Sequence, residues 1–138
     1  MAALPFAIWW LAPILSPSGY GSEALTVLQA LHKLGVVTKS SHHGDMVSQE
    51  YIDGLPPDVQ RLLGQLLFQV EAPQDLSSAA VVCHSEPGAW SPALYETAPC
   101  PPSAYEGFGL VIGRTMFETD SVLPEHVRRC NRMDEAST

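Results

Sequence analysis

Apolar residues along this chain recur at two spacings. Residues 6–12 (Phe-Ala-Ile-Trp-Trp-Leu-Ala) form an unbroken apolar run, the pattern of a strand covered on both faces. The loop Ser16-Pro17-Ser18-Gly19-Tyr20-Gly21 follows, after which Leu25, Leu28, Leu31 and Leu34 return at helical intervals. A helix over 22–34 is therefore expected, with Ser22 as N-cap, Glu23 near the positive end of the dipole and Gly35 just past the end. Residues 36–40 read as a second, weaker strand. The breaker Gly54-Leu55-Pro56-Pro57-Asp58 opens another helix, with Leu62, Leu63, Leu66 and Leu67 as its buried face. Further strands are expected at 79–83 and 108–112, separated by a long loop over 91–109 rich in Pro, Gly and small residues. Pro124 opens a last helical segment. Strands alternating with helices define an α/β chain, here a Rossmann-like three-layer domain with a mostly parallel sheet. The 138 residues fit one domain.

In such sheets ligands bind beyond the carboxyl ends of the strands, so the residues there are the candidate chemistry. Gly19 and Gly21, flanking Tyr20, can bring backbone N–H groups and a helix N-terminus against a phosphate, or can simply make a tight strand-to-helix turn. Glu23 nearby argues against a bare phosphate. His84, beside Glu86, is placed to hydrogen-bond a sugar-like hydroxyl or to act as acid or base near neutral pH; the plainer alternative is a loop histidine satisfied by backbone. Arg114 with Glu118 and Asp120 can orient a polyol or form a structural ion pair, and Asp134 carries the same ambiguity. Trp90 can stack on a sugar ring, whereas Trp9 and Trp10 read as core. His42, His43 and Asp45 match no zinc spacing, which leaves a solvent-facing loop and no metal.

Composition narrows the classes. An apolar content of 46% supports a packed core, and 15 acids against 7 bases give a net charge of −8, which repels nucleic-acid backbones. Residues 2–15 are apolar but carry no basic n-region, are too short to span a bilayer and are interrupted by Pro5 and Pro13, so neither a secretory signal nor a transmembrane segment is expected. Cys83, Cys100 and Cys130 share no paired spacing; free thiols, a reducing compartment and a cytoplasmic location are the expectation, with Cys83 as core packing.

Three segments carry a family resemblance: Ser-Pro-Ser-Gly-Tyr-Gly-Ser-Glu-Ala at 16–24, Val-Val-Cys-His-Ser-Glu-Pro at 81–87, and Gly-Arg-Thr-Met-Phe-Glu-Thr-Asp through Asn-Arg-Met-Asp-Glu at 113–135. Together they resemble the amino-terminal half of glycosyltransferases of the B-type fold, in the group 1, family-four-like branch. The resemblance implies an acceptor-side domain of a two-domain enzyme that transfers a sugar from a nucleotide sugar to a carbohydrate or other hydroxyl acceptor, without a cofactor. It would set Gly19 and Gly21 beside the donor diphosphate or acceptor, His84 facing the transferred sugar and Glu118 bordering the acceptor cleft. Relatives continue after Met-Asp-Glu with Ile-Trp-Val-Pro where this chain reads Ala136-Ser137-Thr138, so the carboxyl-terminal nucleotide-sugar domain is expected to be absent and a second domain or chain to supply the donor site. Two alternatives stand beside it. Gly19-Tyr20-Gly21-Ser22-Glu23-Ala24 fits the GxGxxA pattern of an NAD-type dinucleotide-binding oxidoreductase, with Asp45 near the position of a ribose-binding acid. A non-catalytic sugar-binding module is the other.

Overall fold

The computed structural model describes residues 7–36, 38–102, 107–116 and 124–137. Five strands form one sheet: β1 (Ala7–Ala12), β2 (Thr38–His42), β3 (Ala79–His84), β4 (Leu110–Arg114) and β5 (Glu135–Ser137). Their order is β2-β1-β3-β4-β5 and every pairing is parallel. The connections carry α1 (Gly19–Lys33), then α2 (Gln49–Asp53) and α3 (Pro57–Gly64), the last running into a π-helical turn at Gln65–Gln69. The connection from β4 to β5 carries α4 (Pro124–Arg132). This is an α/β parallel-sheet architecture, compatible with a Rossmann-like fold.

Pairing, more than local hydrophobicity, sets the strand bounds. Ile8 pairs with Thr38 and Ala12 with His42, so β2 runs to 42 although its polar Ser41 and His42 fall past the expected end at 40. His84 pairs with Arg114, carrying β4 two residues beyond the expected 112. The fifth strand was not anticipated. It begins beside Asp134, whose N–H donates to Val111 O at 2.9 Å and whose Oδ2 accepts from Val111 N at 2.7 Å. Asp134 is therefore a backbone clip between β4 and β5.

Helix α1 begins at Gly19 rather than at 22. Ser18 is extended (φ −128°, ψ 158°) and its Oγ accepts from Gly21 N at 3.0 Å, so it caps the helix and Ser22 lies one turn inside. The carboxyl end is as expected: Gly35 has φ 77° and its N–H returns to His32 O at 3.0 Å.

Adjacent residues on a strand face opposite ways, and the sheet thus carries two cores. Ala12, Ile14, Ala24, Leu25, Leu28, Leu63 and Leu66 pack on the α1 and α3 face, where Leu62 and Leu67 are only partly buried. Leu11, Val81, Cys83, Trp90, Cys100 and Val111 pack on the other, against Cys130 of α4. Trp9 and Trp10 pack on opposite sides and are half-buried.

The free-thiol expectation is overturned. Cys83 and Cys100, 17 residues apart, form a disulfide because the loop after β3 folds back under the end of that strand, and Cys130 is the free cysteine. Disulfides persist in oxidising surroundings, so the cysteines lend no support to a cytoplasmic location. Among the described residues no helix is long and apolar enough to cross a membrane.

Candidate functional site

The parallel register brings Ala12, His42, His84 and Arg114 to one edge of the sheet, where α1 begins. Gly21 is needed there for packing. A Cβ at this position would collide with the Pro13 carbonyl oxygen and lie 3.1 Å from Ser16 O, so glycine lets α1 seat against the turn leaving β1. Gly19 is exposed and, among the described residues, has only Met116 nearby. Tyr20 closes one wall: its Oη donates to Met116 O at 2.8 Å, accepts from Met116 N at 3.1 Å and lies 3.1 Å from Thr115 Oγ1.

One turn further along α1, Glu23 meets two groups from the sheet. Arg114 Nε donates to its Oε1 at 2.7 Å, and His84 Nε2 lies 3.0 Å from the same oxygen. The His84 N–H is not aligned on that oxygen and makes no well-formed hydrogen bond, so this second contact is chiefly electrostatic. Trp10 Nε1 donates to His84 Nδ1 at 3.1 Å, which fixes the neutral tautomer with its proton on Nε2. The imidazole also meets Trp10 and Tyr20 edge-on at 5.7 and 6.2 Å.

The protonation states follow from these neighbours. The Arg114 hydrogen bond holds the Glu23 carboxyl below its ordinary range, against a smaller opposing effect of burial, with His84 adding to the lowering. Burial pushes the His84 imidazole down despite the pull of Glu23 in the other direction. An ionised carboxylate and a guanidinium thus sit over a neutral histidine. Glu23 and Arg114 keep 31% and 34% of their side-chain surface exposed, while His84 is fully buried. His84 therefore supports the exposed pair from beneath and is not the loop residue the sequence suggested. The acidic partner of Arg114 is Glu23, 91 residues earlier; the expected partners Glu118 and Asp120 lie outside the described residues.

A second network lies beside the first. His43 is buried rather than solvent-facing. Its Nδ1–H donates to Ala98 O at 2.7 Å, and its Nε2 accepts from Ser85 Oγ at 2.8 Å. Ser85 Oγ in turn accepts from Trp90 Nε1 at 3.1 Å. Trp90 is fully buried in the core under Gly113, where a Cβ would come within 2.6 Å of the indole. It cannot stack on a ligand. Burial lowers the His43 pKa. Glu86 is exposed at the lip of a small hollow of about 50 Å³ that Tyr20, Ser85 and Tyr95 also line. A larger depression of about 280 Å³ opens between residues 42–46 and 95–98. Tyr95 joins the two: its Oη donates to Gly44 O at 3.0 Å, and burial, aided by the carboxylates of Glu86 and Asp45, raises its phenol to about 12.

Of the candidates, Gly19, Tyr20, Glu86 and Arg114 share the accessible edge, His84 lies beneath it and Trp90 is withdrawn from it. Glu23, His43, Ser85 and Tyr95 belong to the same edge and were not singled out as ligand-facing residues. The available signal was positional: His43 and Ser85 each follow a strand end directly. Chemically, the edge offers hydrogen-bond donors and acceptors with one compensated charge pair, an arrangement suited to hydroxylated ligands. No protein-family model, curated protein or solved structure matches the chain.

Proposed function

We propose that the chain is the acceptor-side, Rossmann-like half of a nucleotide-sugar-dependent glycosyltransferase of the B-type fold. The observation that carries this reading is the exposed Glu23–Arg114 pair, seated on buried His84 at the carboxyl edge of a parallel sheet. In the proposed complex, ionised Glu23 accepts a hydrogen bond from an acceptor hydroxyl. Arg114 commits only Nε to Glu23 among the described residues, and its terminal nitrogens donate to a second sugar oxygen. Neutral His84 holds this pair from beneath and Tyr20 fixes the backbone directly after Arg114, so both act as positioning residues. The motif resemblance adds Glu118 at the border of the acceptor cleft. Transfer would join the acceptor oxygen to the anomeric carbon as the nucleotide diphosphate leaves. Its charge requires basic groups or helix dipoles, supplied by a second domain or chain.

A second reading, an NAD-type dinucleotide site, draws on Gly19 and Gly21 opening α1 and on Asp45 lying just past the end of β2. Trp10 touches His84 and reports on the edge by fluorescence. Saturable quenching by nucleotide sugars or saccharides, weakened in Arg114→Ala, would support the glycosyltransferase reading. Saturation by NAD alone would favour the dinucleotide reading. Saccharide binding without sugar transfer, once a donor-binding half is fused to the chain, would mark a non-catalytic binding module.

A further inference from the structure

We propose that residues 91–100 are a redox-latched strap, closed over the carboxyl edge by the Cys83–Cys100 disulfide and released when that bond is reduced. The strap is anchored unequally at its two ends. Its near end follows fully buried Trp90, and Arg129 Nη2 of α4 donates to Pro92 O at 2.6 Å. The far end is joined to the end of β3 by the disulfide, which also seats the Ser91 N–H on Cys100 O at 2.9 Å. Between these anchors the strap buries little apolar surface: Leu94 is 55% exposed and Tyr95 42%. Besides the disulfide, hydrogen bonds hold its middle to the β2 end: Tyr95 Oη to Gly44 O, Gly44 N to Thr97 Oγ1 at 2.9 Å, and His43 Nδ1 to Ala98 O. Single hydrogen bonds of this kind contribute little net stability. The covalent link is thus the main restraint on the far end beside the burial of Pro101, which directly follows Cys100.

The strap is also one wall of the 280 Å³ depression and the cover over His43 and Ser85. Cutting the latch removes that wall while leaving β1, β3 and α1 packed. The chemistry is thiol–disulfide exchange with a dithiol reductant. One thiolate attacks a sulfur of the pair and forms a mixed disulfide; its second thiol resolves it. The net change leaves Cys83 and Cys100 as two thiols, with two electrons and two protons taken from the reductant, which leaves as its own disulfide. Both cysteines are fully buried, so attack follows a transient lifting of the strap. The latch rests on the functional reading above only for what the edge binds.

Hydrogen exchange on the full chain tests it, before and after dithiothreitol, with mass spectrometry confirming two added hydrogens. On reduction the Gly44 and Ser91 amides should exchange at least tenfold faster and His43 should become reactive to diethyl pyrocarbonate, while Leu25, Leu28 and Val81 stay protected. Cys100→Ala should behave like the reduced wild type; if that variant does not fold, reduction of the folded wild type decides alone. Unchanged Gly44 protection after reduction would overturn the proposal, since hydrogen bonds would then suffice. Loss of α1 and β3 protection together with the strap would also overturn it, because the disulfide would be a staple of the whole fold. With maltose as probe of the acceptor edge, affinity should fall about tenfold on reduction. A lifted strap with unchanged affinity would remove its control of the edge. Absence of binding in either state counts against the functional reading, and the exchange result still decides the latch.

Discussion

Removing the His84 side chain is the most informative perturbation of the fold, because the ring is fully buried yet polar and touches groups of β1 and α1 together. Truncating a buried ring to Ala costs about 3 kcal/mol at the low end of the aromatic range. Depriving Trp10 Nε1 of its acceptor adds up to about 1 kcal/mol, since that indole is only half-buried and can turn to water. His84→Ala should therefore lose about 3–4 kcal/mol, a large fraction of the stability of a domain this size. At roughly 4 °C per kcal/mol the melting temperature should fall by about 12–16 °C. The pH dependence supplies a second readout. The folded-state pKa of His84 lies below the unfolded value of about 6.5, so in the window beneath that value the unfolded chain binds the proton and the folded chain does not. Wild-type stability is then full above about pH 6.5 and declines as pH falls through this window. His43, also depressed by burial, contributes with the same sign. Because His84→Ala has lost one of these groups, its deficit should shrink by up to about 1 kcal/mol between about pH 7.5 and pH 5.5. Thermal melts of both proteins at the two pH values decide. A deficit under about 1 kcal/mol at the higher pH, or one equal at both, would refute the buried, neutral assignment.

Other perturbations address separate contacts. Gly21→Ala forces a Cβ into the Pro13 carbonyl and should destabilise by about 1–3 kcal/mol in a denaturant melt; a neutral result would mean that α1 does not approach the turn this closely. Gly113→Ala should be similarly costly, because its Cβ would meet Trp90 at 2.6 Å, and Trp90→Phe should partly relieve it in the double variant. Arg114→Ala should raise the Glu23 pKa toward its ordinary value, read by carbon NMR titration of the carboxyl, since the Arg114 hydrogen bond is the main cause of its lowering. An unmoved titration would break the pair.

The sequence pattern located four of the five strands and α1, α3 and α4, chiefly where apolar runs, leucine periodicity or a proline announce a segment locally; it missed the short α2, which has no apolar stripe of its own. It missed β5, whose pairing depends on Asp134 clipping Val111 from 23 residues away. Ser18 displaced Ser22 as the cap because side-chain capping is decided by backbone geometry that several serines near the turn can satisfy. The site was half legible. Position after a strand pointed to His84, Glu86 and Arg114, but periodicity says nothing of depth, so His84 and Trp90 read as exposed loop residues when both are buried. Glu23 was legible only as a charge at a helix start; its partners come from β3 and β4, 61 and 91 residues on. The disulfide escaped for the same reason: spacing cannot reveal that the loop after Trp90 returns beneath β3.

The claim that this carboxyl edge binds a sugar acceptor is tested most directly by mapping amide chemical shifts while maltose, and separately glucose, is titrated into the oxidised chain. Shifts should concentrate at Gly19, Tyr20, Glu86 and Arg114 and should be abolished by Arg114→Ala without loss of fold. Shifts gathered instead at the groove between α1 and α3, around Lys33 and Arg61, or no shifts with either ligand at millimolar concentration, would contradict it.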